Sequence, residues 1–311
     1  MIQQTNTNSY YSHGKLLLSG EYTVLHGATA LALPLRYGQT LSVSQSDSAG
    51  LVWRALRPGG IWFACEWDTS GRIIQTTDKK KSLRLDDILR KGLALSEKNP
   101  AFLSGKEITT TLEFNPEWGW GSSSTFISNL SRWLEIDPYK LLQQTFGGSG
   151  YDIACAGATS AIYYSKANEK TEVTTAPFCP SFGDQLWFIY LGKKQSSQKA
   201  ISAFSFSNSI PDSAIRQISE LTNQVCSCDS VDDFCEWITQ HETIIGNLTG
   251  MIPVQSLLFP DFEGAVKSLG AWGGDFVMAC SHWSEEKIRA YFKTRGLETV
   301  FNLKEIILTN R

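Results

Sequence analysis

The segment Pro116-Glu117-Trp118-Gly119-Trp120-Gly121-Ser122-Ser123-Ser124 most narrows what this chain can fold into. A strand-like run at 108–114 precedes it. An amphipathic helix is predicted after it, because Phe126, Ile127, Leu130, Trp133 and Leu134 return to one face at helical spacing. Gly119 and Gly121 let backbone approach a ligand closely, and the first N–H groups of a helix favour an anion such as phosphate. Ser122 and Ser123 add hydroxyls of the kind that can ligate a phosphate-bound Mg2+. A serine that caps the helix after a flexible turn is an equally good reading of the same letters.

Other phosphate and hydrolase signatures are missing. There is no G-x-x-x-x-G-K-[ST], and Gly119-x-Gly121-x-x-Ser124 lacks the third glycine of a dinucleotide fingerprint. The H-R-D and D-F-G elements of protein kinases and the G-x-S-x-G of serine hydrolases do not occur. Cys226, Cys228 and Cys235 have no second, suitably spaced pair for zinc and are read as packing thiols. Seven scattered cysteines in a long chain argue against a disulfide framework.

A formal charge of −3 gives no polycationic face, so no nucleic-acid partner is expected. With 42% hydrophobic and only 19% charged residues, an ordered core is expected. The most apolar stretch, 16–35, is broken by Glu21, His26 and Pro34, so no membrane span is expected there. The N-terminal residues lack a basic segment followed by an apolar one, and a cytoplasmic protein is the expectation.

Strands dominate the pattern from 10 to 78, followed by helices at 83–98, after the 119–124 turn and near Pro138. The Lys79-Lys80-Lys81 run is read as a surface loop. Gly147-Gly148-Ser149-Gly150 precedes a small helical segment and a strand at 161–164. Two prolines and a glycine mark a boundary at 176–184, dividing the chain into domains 1–180 and 181–311. The second half reads as strand 186–191, helices 198–204, 212–225 and 231–248, strand 276–279, helix 285–294 and strand 305–308. This mixture predicts an α+β fold with strands and helices partly segregated.

Four segments, in order along nearly the whole chain, resemble motifs of the GHMP kinase superfamily. Gly14-Lys15-Leu16-Leu17-Leu18-Ser19-Gly20-Glu21-Tyr22-Thr23-Val24-Leu25-His26-Gly27 is similar to its N-terminal motif, and the 119–124 turn to its phosphate loop. Gly148-Ser149-Gly150-Tyr151-Asp152-Ile153-Ala154 resembles the segment that carries the catalytic aspartate in mevalonate and phosphomevalonate kinases. Lys267-Ser268-Leu269-Gly270-Ala271-Trp272-Gly273-Gly274-Asp275 resembles the C-terminal glycine-rich motif.

The resemblance implies a two-lobed GHMP kinase fold, with a ribosomal-protein-S5-like lobe followed by a ferredoxin-like lobe, and ATP and Mg2+ as cofactors. It further implies that Lys15 and Asp152 are catalytic and that Gly119, Gly121, Ser122, Ser123, Ser124, Gly273 and Gly274 bind the nucleotide. Ser123 is the implied metal contact. Glu21, Tyr22, Gly150, Lys193 and Ser196 are implied to lie at the acceptor. Phosphoryl transfer needs positioning and charge neutralisation more than covalent chemistry, which these residue types supply. Taken alone, Asp152 also reads as a helix cap and Lys15 as a solvated strand-end lysine.

Departures from the motifs bear on the substrate. Tyr22 stands where mevalonate kinases often have histidine, and Leu141 where many have a metal-binding glutamate. These favour phosphomevalonate as the small-molecule acceptor, with mevalonate as the alternative; a decarboxylase and a nucleotide-binding regulator without turnover are further readings. His13, Trp120 and Trp272 replace the family's usual residues, and the two indoles are read either as shaping the nucleotide pocket or as core filler.

Overall fold

The computed structural model describes residues 7–167, 170–193, 210–270 and 272–308. These residues form two compact units interleaved along the chain. One is drawn from Met1–Gly14, Tyr37–Pro116 and Trp120–Gly157, the other from Lys15–Arg36, Glu117–Gly119 and Ala158–Arg311. Strands β1 (Asn8–Ser19) and β2 (Ala30–Gln45) each contribute residues to both units.

In the first unit β3 (Leu51–Arg57), β4 (Gly60–Trp67) and β5 (Ile73–Thr76) lead into α1 (Lys79–Ser96), then β6 (Lys106–Leu112). The sheet order is β5-β4-β3-β6-β2, antiparallel except for the β3–β6 pair. Helices α2 (Ser122–Leu134), α3 (Pro138–Thr145) and α4 (Tyr151–Ala156) complete the unit. Its core joins Trp53, Phe63 and Ile108 of the sheet to Ile88 of α1 and Ile127 and Leu130 of α2. Each such apolar side chain contributes roughly 1.5–3 kcal/mol on burial.

The lysine run at 79–81 is not a surface loop; it forms the first turn of α1. The Asp78 carboxylate accepts from the Lys81 backbone N–H at 3.0 Å and so caps the helix N-terminus, four residues earlier than leucine spacing alone suggests.

The second unit pairs β2 with β7 (Ile162–Ala167), and β7 with β8 (Lys170–Thr175). It also builds an antiparallel sheet from β9 (Leu186–Tyr190), β10 (Ala265–Leu269), β11 (Phe276–Cys280) and β12 (Val300–Asn302), in the order β10-β11-β9-β12. Its helices are α5 (Asp212–Gln224), α6 (Val231–Thr249), α7 (Val254–Leu258), α8 (Glu285–Lys293) and α9 (Leu303–Ile306). Of these, α6 packs on β10. The helices expected at 212–225 and 231–248 are present, whereas the one expected at 198–204 lies outside the described residues.

The strand expected at 305–308 is corrected. Asn302 and Glu305 form a reciprocal capping box that starts α9 at Leu303, leaving only Ile307 to bridge to Leu35. Among the described residues no helix is long and apolar enough to cross a membrane, and no disulfide joins any of the seven cysteines.

Candidate active site

In the first unit residues 120–124 open α2. Gly121 occupies the cap position at φ 88°, a left-handed conformation that costs other residues more, and no side chain caps the helix. The first-turn amides are thus left to an external acceptor, water or an anion. The three serines divide their work. Ser124 is buried and its hydroxyl donates to the Gly121 carbonyl at 2.8 Å, Ser122 is half-buried, and Ser123 is exposed.

A buried polar ladder holds this helix start in place. Thr125 Oγ1 donates to Gln39 Oε1 at 2.8 Å and Asn129 Nδ2 to the Gln39 carbonyl at 2.7 Å. Ser12 Oγ lies within hydrogen-bonding distance of Ser128 Oγ and Asn129 Oδ1, at 2.9 and 2.8 Å. Trp120 is fully buried, stacked on Tyr37 with ring centroids 5.9 Å apart and tilted against Phe114 at 5.7 Å. Of the two readings of this indole, the structure favours core filler.

The same unit carries α4. Gly150 holds its cap position, so Asp152 is not the cap; it sits half-buried in the first turn. Ahead of it, Gln143 Nε2 donates to the Gly148 carbonyl at 3.1 Å and steadies the glycine turn.

The second unit contains Lys15, Glu21, Tyr22, Gly119, Lys193, Gly273 and Gly274. Lys15 is half-buried on β1. Gly119, at φ 69°, packs against Asp275 so closely that a Cβ would fall 2.4 Å from the Asp275 carboxylate. Asp275 also ties down the loop after β9: its N–H donates to the Lys193 carbonyl at 2.7 Å, and its carbonyl accepts from the Leu191 N–H at 2.8 Å. The Lys193 side chain stays exposed, while Ser196 lies outside the described residues. Within this unit, Gly119, the end of the 267–275 glycine-rich segment and the Lys193 loop therefore converge on Asp275.

Glu21 and Tyr22 are placed differently from Lys193. Glu21 is fully buried, and Lys267 Nζ donates to its Oε1 at 2.5 Å. Lys267 also donates to the Ser268 carbonyl at 2.9 Å and lies 3.8 Å from Glu242 Oε1, which accepts from the Ser268 N–H. Burial raises the Glu21 carboxyl above its ordinary value, and Lys267 opposes that rise. Burial likewise pushes Glu242 up to about 7, against Lys267 and with the help of the Glu21 charge. His241 Nε2 approaches Glu21 Oε2 at 3.4 Å, but burial and then Lys267 hold the imidazole neutral, so this contact is not an ion pair.

Tyr22 adopts φ 60°, and its hydroxyl accepts from the Trp272 N–H at 3.1 Å. Both rings are buried with Ala28, Ile218 and Ile245, so Trp272, too, fits the core-filler reading.

Lys267, Glu242, His241 and Asp275 were not among the residues singled out from sequence. The sequence offers only a lysine inside the short run Ala265-Val266-Lys267-Ser268-Leu269; the structure buries all five residues in β10, where a lysine requires an acidic partner. Among the described residues there is no group of three or more His, Cys, Asp or Glu that could hold a metal. A Mg2+ carried on phosphate oxygens and waters, with one hydroxyl such as Ser123, is compatible with that donor set.

No protein-family model and no curated protein sequence matches the chain. Solved structures do. The L. major mevalonate kinase, in complex with R-mevalonate, aligns over 97% of this chain and 96% of its own at TM-score 0.67 and 15% identity. The Streptococcus pneumoniae phosphomevalonate kinase, in complex with phosphomevalonate and AMPPNP, aligns over 95% and 99% at TM-score 0.68 and 16% identity. The Lactococcus lactis galactokinase, complexed with galactose, aligns over 97% and 94% at TM-score 0.65 and 11% identity. The chain has the mixed α+β fold of the GHMP kinases. Within that class, the structures it resembles include both mevalonate and phosphomevalonate kinases.

Proposed function

We propose that this protein is a GHMP-type kinase that transfers the γ-phosphoryl group of Mg-ATP to a small acceptor of the mevalonate pathway, phosphomevalonate first and mevalonate second. The observation that carries the reading is the helix α2, which starts without a side-chain cap and presents an exposed Ser123, in a chain with the kinase fold over almost its whole length.

In this reading the α2 amides hold the nucleotide phosphates. Lys15 supplies fixed positive charge as negative charge shifts onto the departing ADP. An acceptor oxygen attacks the γ-phosphorus, the bond to the β,γ-bridging oxygen breaks, and ADP leaves with that electron pair. Where the acceptor is an alcohol, its proton passes to Asp152; where it is a phosphate, Asp152 orients rather than deprotonates. Ser123 would hold the Mg2+ of Mg-ATP, which would supply charge neutralisation at the phosphate oxygens.

Phosphomevalonate is preferred because Tyr22 and Leu141 depart from the mevalonate kinase pattern and because Lys193 offers an exposed ammonium on an anchored loop. Mevalonate is kept as the second reading because kinases of both acceptors share this fold. The test is ADP release measured with a panel of mevalonate, phosphomevalonate, galactose and a heptose phosphate. Acceptor-dependent release with phosphomevalonate is expected; release with a sugar alone, or none with any acceptor, would overturn the assignment.

A further inference from the structure

The least ordinary feature of the second unit is charge where no solvent reaches. Glu21 and Lys267 are 246 positions apart in sequence, their side chains have no exposure, and they form an ion pair in the interior. Removing two charges from water costs several kcal/mol per ion before their attraction offsets it, so such a pair is weak evidence of a stability device. Its location suggests another role.

Glu21 belongs to the turn after β1 and is followed by Tyr22, whose positive φ stores strain that its surroundings must hold in place. Lys267 lies in β10, which runs directly into the turn containing Trp272, Gly273 and Gly274. A second tie joins the same two segments, from the Trp272 N–H to the Tyr22 hydroxyl. Beyond the glycines, Asp275 is fixed by its two backbone bonds to the loop after β9. The glycine turn is thus anchored on one side by Glu21 and Tyr22 and on the other by residues 191–193.

We propose that Lys267 and Glu21 are positioning residues whose buried ion pair sets the register between the Glu21-Tyr22 turn and the Trp272–Gly274 turn, and that Glu21 contacts no ligand. The proposal rests on the kinase reading for its catalytic consequence and reassigns Glu21 from the acceptor to the interior. Glu242 and His241 of α6 enclose the pair, and Glu242 accepts the Ser268 N–H one residue along β10. Among the described residues, an oxygen of Glu21, an oxygen of Glu242 and both ring nitrogens of His241 have no hydrogen-bond partner. The cluster is therefore held chiefly by Lys267, and that side chain is the one to remove.

The experiment compares the full chain with Lys267→Met, Glu21→Gln and the double variant, by steady-state kinetics, thermal midpoint and amide hydrogen exchange. Lys267→Met is expected to accelerate exchange in both 20–28 and 272–276, and to lower kcat by about 10²-fold, the scale of a misplaced site, with acceptor KM within about threefold. The double variant removes both partners of the Glu21–Lys267 pair and leaves only Glu242 without its cation; it is expected to regain most of the thermal midpoint while kcat stays low.

A kcat that recovers together with the midpoint would make the pair merely structural and overturn the proposal. An acceptor KM raised by Glu21→Gln and not by Lys267→Met would return Glu21 to the acceptor. Faster exchange confined to the strand around residue 267 would remove the register role. If the unaltered protein transfers to no acceptor, the kinase reading falls, while the exchange comparison still decides whether the two turns are tied.

Discussion

The start of α2 and the interior beside β10 handle polar groups in opposite ways. At α2 the first-turn amides have no side-chain cap and Ser123 faces outward, so the polar groups are left to something that arrives. Around Lys267 the polar groups are sealed in and answer mainly to one another, with a neutral histidine and a carboxyl near 7 as the cost of burial. The first arrangement suits a ligand that comes and goes. The second suits a part that must not move. Substitutions at the two places are accordingly expected to separate, with loss of chemistry in one group and loss of fold or register in the other.

The widest separation is expected from the two groups assigned to the transferring complex. Asp152→Ala and Lys15→Ala are each expected to lower kcat by about 10²–10⁴-fold, the usual worth of such groups, while nucleotide affinity and thermal midpoint stay near those of the unaltered protein. Initial rates and calorimetric titration with AMPPNP check this, and an unaltered rate in either variant removes that residue from the chemistry.

On the sealed side, Lys267→Met leaves a buried carboxylate without its partner and is expected to cost about 3–5 kcal/mol in chemical denaturation. A loss below about 1 kcal/mol, the level of an exposed pair, would erase the contrast between the two regions.

Glu242→Gln sharpens the comparison through pH. Glu242 keeps an acceptor for the Ser268 N–H as glutamine, so the substitution removes charge and little else. Its folded value of about 7 lies above the ordinary 4.5, so the folded protein holds this proton more tightly than the unfolded chain. The group's contribution is intact below about pH 4.5 and is lost as pH rises through about 7, reaching on the order of 3 kcal/mol. The variant is therefore expected to gain stability relative to the unaltered protein as pH rises from about 5 to about 8. His241, which acts in the other direction below its ordinary 6.5, is common to both proteins and cancels in the difference. A difference in midpoint that does not change with pH would contradict the assignment.

The smallest effect is expected at the open side. Ser123→Ala is expected to raise the Mg2+ concentration for half-maximal rate by a few-fold, since Mg2+ keeps most of its ligands from phosphate and water. An unchanged metal titration would remove Ser123 as a ligand.

What could be read from the letters follows the same division. The helical spacing of Ile127, Leu130, Trp133 and Leu134 made α2 visible, and the four glycine-containing motifs pointed to the fold, because periodicity and turn chemistry are local properties. The helix starts at Lys79 and Leu303 depart from the expected loop and strand for local reasons as well, since Asp78 and the Asn302–Glu305 capping box decide them. The cluster of Glu21, His241, Glu242 and Lys267 is a different matter. Its members come from three distant segments, so nothing local to Glu21 distinguishes an acceptor contact from an interior ion pair. Only the burial of all of β10 around Lys267 makes the distinction.

Phosphorus NMR of the protein with Mg-ATP and phosphomevalonate tests the kinase reading most directly. Growth of ADP matched by new diphosphate resonances on the acceptor is the expected result. ATP that stays intact with every phosphate and alcohol acceptor, or that yields only inorganic phosphate, would contradict it.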